Sequence, residues 1–137
     1  MDPTVPGGSG LVGALRSLSE SMASAHGVSC PFECSESLSF DDPGAANHLY
    51  HIAQEAMRNA IRHGRAACVT LRLGEENGHV ILSVGDDGSG LPPAVASGPG
   101  MGLHVMRYRA TAIGGTLAVQ PRRGGGTEVI CRFRRGA

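Results

Sequence analysis

Residues 49–64, LYHIAQEAMRNAIRHG, running from Leu49 to Gly64, decide the fold. Ile52, Ala53, Ala56, Met57, Ala60 and Ile61 recur at helical spacing and make an apolar stripe, the pattern of a helix laid on a core. Glu55, Asn59, Arg62 and His63 fall at i, i+4, i+7 and i+8 and line up along another side. A carboxylate, an amide and two basic groups in one row describe an ordinary solvated face or one wall of a site. The helix alone does not choose between them.

Upstream of this helix, Asp41-Asp42-Pro43 supplies an N-cap candidate with proline at the first helical position. Val28 to Cys34 alternates Val28, Cys30, Phe32 and Cys34 on one face, as a half-buried strand does, and Pro31 implies an edge position. Before it, Leu11, Leu15, Leu18 and Met22 predict a helix over residues 11–25 that ends at Gly27. Met1 to Gly10, MDPTVPGGSG, is expected to be a flexible tail, a linker or a cloning scar, with residues 11–137 as a single domain.

Downstream, Val69, Leu71 and Leu73 alternate, then Glu75-Glu76-Asn77-Gly78 turns the chain, then Val80, Leu82 and Val84 alternate, so an antiparallel hairpin is expected. Residues 85–102 are rich in glycine and proline and too long for a passive turn, and loops of that kind in small domains tend to be functional. Leu103, Met106, Ala110 and Ile113 then mark a helix closed by Gly114-Gly115. Residues 116–119 and 127–133 read as two strands around a turn over residues 121–126. Helices gathered on one face of a mixed, mainly antiparallel sheet make an α+β two-layer sandwich.

Composition narrows the function. The chain has 137 residues, 41% hydrophobic and 18% charged, the profile of a globular domain with a real core. Twelve basic and twelve acidic residues cancel, so there is no electrostatic footprint for nucleic acid or an anionic membrane. No apolar run approaches the roughly 20 residues of a membrane span, and residues 1–10 hold no signal-peptide core. Cys30, Cys34, Cys68 and Cys131 sit in apolar or strand-like stretches and are read as buried free thiols in a reducing, cytoplasmic compartment. His48, His51, His79 and His104 lack a partner pattern and are read as surface or satisfied core residues.

Three glycine clusters carry the chemistry. Val84-Gly85-Asp86-Asp87-Gly88-Ser89-Gly90 puts a carboxylate at the end of a buried strand, with glycines two and four residues later. The backbone there can approach a flat ligand while the carboxylate accepts from an exocyclic amine, although the same residues also make a good surface turn. Gly98-Pro99-Gly100-Met101-Gly102 leads into a helix whose free N–H groups and dipole would suit phosphate. Gly124-Gly125-Gly126-Thr127 puts a hydroxyl behind a glycine turn.

Each piece is common, but their order is specific. Glu-x3-Asn on a helix, Asp-x-Gly-x-Gly after a strand, Gly-x-Gly before a helix and Gly-Thr before the last strand together resemble the GHKL nucleotide-binding domain, whose fold is a Bergerat-type sandwich. That superfamily joins gyrase, certain chaperones, histidine kinases and mismatch-repair ATPases. HLYHIAQEAMRNAIRHG, VGDDGSGLP and GMGLHVMRYRATAIGGTL are similar to the asparagine box and two glycine boxes of sensor histidine kinases related to nitrate and membrane-fluidity sensors. The likeness covers about Ala45 to Phe133.

The resemblance implies a set of roles. Asn59 would ligate Mg²⁺ bridging the ATP phosphates, and Glu55 would orient or deprotonate near the metal as the catalytic carboxylate. Arg62 would face the phosphates, and the His63 ring would pack near the nucleotide. Asp86 would accept from the adenine amino group, with Gly88 and Gly90 giving clearance. Gly100, Gly102 and Leu103 would form the lid and phosphate edge, and Thr127 would back the adenine pocket. The implied activity is transfer of the γ-phosphoryl of Mg-ATP to a histidine on a dimerisation domain, with a response regulator downstream.

Residues 11–25 form one short helix without histidine, so the expectation is an isolated, monomeric catalytic domain lacking its dimerisation helices, with no nucleic-acid partner and no membrane contact of its own. The competing reading is a stand-alone anti-sigma-type regulatory kinase or binding module of the same fold.

Overall fold

The computed structural model describes residues 9–35, 42–89 and 102–134. Its elements are α1 (Ser9–His26), β1 (Phe32–Cys34), α2 (Pro43–Arg62), β2 (Val69–Glu76), β3 (His79–Asp86), α3 (Leu103–Ala112), β4 (Thr116–Pro121) and β5 (Thr127–Arg134). The strands form one five-stranded sheet in the order β1-β2-β3-β5-β4. Only β1 and β2 run parallel, joined through α2, while every other neighbouring pair is antiparallel.

The central helix forms as its periodicity requires and begins earlier than its apolar stripe. Asp42 Oδ1 accepts from the Ala45 N–H at 3.1 Å, and Pro43 opens the first turn, where a missing N–H costs nothing. Leu49, Ile52 and Met57 are fully buried, each contributing roughly 1.5–3 kcal/mol of transfer free energy. The alanines Ala45, Ala46, Ala53, Ala56 and Ala60 fill the rest of the buried face.

Two boundaries differ from the sequence expectation. The first helix starts at Ser9 rather than Leu11, so residues 9 and 10 of the expected tail are helical, while residues 1–8 lie outside the described set. The strand expected over residues 28–34 shrinks to Phe32–Cys34 plus an isolated bridge between Ser29 and Cys68. Pro31 has no N–H for the ladder but its carbonyl still accepts from Leu71, so the edge is interrupted without being lost. Of the thiols, all unpaired, only Cys131 is fully buried; the other three are half-buried.

The β2–β3 hairpin turns on Asn77 and Gly78, both with positive φ, which matches the twist of the flanking strands. Its register pairs Leu71 with Val84 and Leu73 with Leu82, facing the helices. Val129, Cys131 and Phe133 of β5 continue that buried layer. Strict alternation along β3 then sends Asp86 to the same face as Val80, Leu82 and Val84. A carboxylate therefore ends the row of core side chains.

Candidate functional site

The site forms where the C-terminal halves of α2 and β3 meet the start of β5. A cleft there is lined by Ala56, Asn59, Ala60, Gly64, Asp86, Leu103, Thr127 and Val129. Asp86 and Asn59 are only 5% and 8% exposed, and Thr127 is buried with them. A buried carboxylate at a strand end is expensive unless partnered. Asp86 Oδ1 accepts from the Gly88 N–H at 2.8 Å and lies 3.4 Å from the Thr127 N–H. Oδ2 has no protein partner among the described residues.

Burial pushes the Asp86 carboxyl above its usual range, against the opposing pull of the Gly88 and Thr127 amides and of Arg122. The glycines explain how the backbone closes round it. A Cβ on Gly88 would run into the Gly64 carbonyl and lie 3.1 Å from Asp86 Oδ1. A Cβ on Gly126, whose φ is +97°, would strike the Asp86 carbonyl. The Ser89 N–H donates to Gly64 O at 2.8 Å, tying the Asp-x-Gly turn to the end of α2.

Asp87, to which the sequence reading gives no role, is the exposed partner in this turn. Its Oδ1 accepts from the Ala67 and Cys68 N–H groups at 2.8 and 2.9 Å, and these bonds hold its carboxyl below the usual range. Of two adjacent aspartates, strand alternation sends one into the cleft and the other onto the α2–β2 connection. The doublet itself is the signal that could have found the second one.

Among the remaining residues singled out from sequence, the structure brings some together and leaves others apart. Leu103 is buried in the cleft wall and opens α3. Gly102 caps α3 with φ +73°, and a Cβ there would lie 2.5–2.6 Å from the Glu55 carboxyl. Glu55 thus stands at the edge where α3 begins, 3.4 Å from Arg58. Arg62 and His63 are exposed and do not line the cleft. Gly90 and Gly100 lie outside the described residues. The open concavity on the far side of the sheet, lined by Glu33, Arg72, Gly74 and Ile81 among others, contains none of the predicted site residues.

The arrangement offers a buried carboxylate, closely packed glycine backbone and the Asn59 side chain in one narrow cleft, with the Glu55 carboxylate beside Gly102 where α3 begins. Oxygen donors of that kind suit a hard divalent cation such as Mg²⁺.

The family model described as histidine kinase-, DNA gyrase B-, and HSP90-like ATPase matches residues 44–137. The nitrate/nitrite sensor protein NarX of Escherichia coli (strain K12) is 38% identical over 88 residues, covering 64% of this chain and 15% of that protein. The sensor histidine kinase LiaS of Bacillus subtilis (strain 168) is 38% identical over 86 residues, 63% of this chain and 24% of the relative. The chain thus spans between about a seventh and a quarter of the length of these relatives. Among solved structures, the ATP binding domain of PrrB from Mycobacterium tuberculosis superposes with a TM-score of 0.78 at 22% identity, covering 91% of this chain and 93% of that one. At that identity the likeness speaks for the fold.

Proposed function

Because the chain belongs to the family of histidine kinase-, DNA gyrase B- and HSP90-like ATPases, we propose that it is the Mg-ATP-binding catalytic domain of a sensor histidine kinase. Its reaction is transfer of the ATP γ-phosphoryl group to a histidine on a dimerisation domain, for delivery to a response regulator. The observation that carries this reading is Asp86: a buried carboxylate with one oxygen held by two amides and the other without a protein partner among the described residues. An adenine amino group is the donor that such an oxygen would satisfy.

The protein's part in the chemistry is placement. Asp86 takes the nucleobase amine, Gly88 lets the ring lie against the backbone, and Thr127 closes the pocket behind it. Asn59 and Glu55 face the phosphate end, where Asn59 would hold Mg²⁺ and Glu55 would orient or deprotonate beside it. When bound, the ion would neutralise phosphate charge. By the resemblance Gly100, Gly102 and Leu103 would make the lid and phosphate edge, while Arg62, exposed at the end of α2, would face the phosphates and the His63 ring would pack near the nucleotide. Phosphoryl transfer needs little covalent help, so positioning and charge neutralisation suffice. We assign the domain as a cytoplasmic monomer that touches neither nucleic acid nor membrane. Among the described residues, no helix is long and apolar enough to cross a membrane.

The test is to mix this chain with its verified cognate dimerisation domain and γ-labelled ATP. Label should appear on the partner's histidine and be lost with Asp86→Asn or Asn59→Ala. A partner that is folded and dimeric yet stays unlabelled would refute the assignment.

A further inference from the structure

The seam between α2 and α3 is fastened at two places. At one end Gly102 abuts the Glu55 carboxyl; at the other the Arg109 guanidinium lies 3.1 Å from His48 Nδ1. The two contacts are seven residues apart along each segment, about 10 Å of helical rise, and α3 runs antiparallel along α2. Between them Leu103, Met106 and Ala110 are buried, and Leu103 also lines the cleft. A shift of the Arg109 end therefore moves a wall of the nucleotide site.

From this the geometry points to Arg109 and His48 as positioning residues for the nucleotide site, a role that rests on the nucleotide-binding reading above. A guanidinium can only donate, so His48 Nδ1 must accept and its imidazole must be neutral with the proton on Nε2. Protonation would set an N–H against an N–H and one cation against another. The groups facing His48 make this worse. Arg109 from α3 and His51 from the next turn of α2 are both basic, and His51 is in turn bonded to Gln54 and edged by Tyr50. Among the described residues no carboxylate pairs with Arg109 to absorb the charge. Burial and Arg109 both hold His48 below the ordinary histidine value of 6.5, in keeping with the geometry. The contact is thus intact at neutral pH and lost as pH falls through the lowered His48 value, below 6.5.

The experiment compares wild type, His48→Asn and Arg109→Leu between pH 7.5 and 5.5. Asparagine offers an amide oxygen near the Nδ1 position and does not titrate. One measurement is ATP affinity by calorimetry; the other, without nucleotide, is the amide chemical shifts of Leu103 and Met106. Losing one hydrogen bond from the seam is expected to weaken ATP about three- to tenfold. Wild type should lose that factor on acidification beyond whatever His48→Asn loses, because Asp86 and the ATP phosphates titrate alike in both. Arg109→Leu should show the loss already at pH 7.5, and the amide shifts should follow pH in wild type alone. Superimposable wild-type and His48→Asn curves, wild-type affinity in Arg109→Leu, or moving amides without a change in affinity would each overturn the proposal. Failure of wild type to bind ATP at any pH would sink the nucleotide reading instead, while the amide shifts still report on the seam.

Discussion

The substitution Asp86→Asn should separate binding from stability, because the surroundings dictate how the new amide sits. Two N–H donors, from Gly88 and Thr127, converge on Oδ1. The oxygen of the introduced amide must take that place, and its NH₂ must face the cleft where Oδ2 was. An incoming amine then meets a donor instead of an acceptor. Loss of a hydrogen bond to a charged group is worth about 1.5–3 kcal/mol, a weakening of roughly 10- to 150-fold in ATP affinity. Folding stability should move the other way or not at all. Burial already disfavours the Asp86 charge, and the neutral isostere removes that cost while keeping both amide bonds. The sign carries to pH: with its carboxyl raised, the folded wild type takes up a proton more readily than the unfolded chain, so this residue's stability term improves on acidification while ATP affinity falls. Calorimetry and urea unfolding on one preparation test both halves. Unchanged ATP affinity, or a clear loss of stability at pH 7, would refute the reasoning.

Three further predictions follow from the same geometry. Gly126→Ala should cost about 2–4 kcal/mol, because its methyl strikes the Asp86 carbonyl at positive φ, whereas Gly124→Ala, at positive φ but in open space, should cost only about 1 kcal/mol; urea midpoints give the difference. Asp87→Ala should lower the melting temperature at pH 7 by releasing the Ala67 and Cys68 amides, and the gap from wild type should close as pH drops below 3.8 through the depressed Asp87 value. Asp42→Ala should cost about 1 kcal/mol of unfolding free energy through the lost N-cap and leave ATP affinity unchanged in calorimetry.

What is legible in the sequence is what is periodic or local. The stripe of α2, the Asp42-Pro43 cap, both hairpins and the inward position of Asp86 follow from spacing over a few residues, and they carry the fold class. Alternation overdraws β1 because it continues through Pro31, whereas the ladder needs an N–H that proline lacks. The contacts between distant segments are invisible. Arg109 and His48 are 61 residues apart, and nothing in either neighbourhood announces the other. Glu55 stands out for its charge, yet its closeness to Gly102 depends on how two helices pack. Arg62 and His63 owe their expected roles to resemblance, and in the structure both look outward from the end of α2.

The strand order β1-β2-β3-β5-β4 bears on the timing of folding. Each hairpin, β2–β3 and β4–β5, closes a short loop, while the pairing of β3 with β5 joins residues some fifty positions apart. Short loops close early and at little entropic cost, so the β3–β5 junction, like the parallel β1–β2 pairing, is expected to form late. Asp86 belongs to the first hairpin and Thr127 to the second, so the cleft straddles that junction. A nucleotide seated there would act as a strut across a joint made late. It should lengthen the lifetime of the folded chain by slowing unfolding, and leave the rate of folding almost untouched.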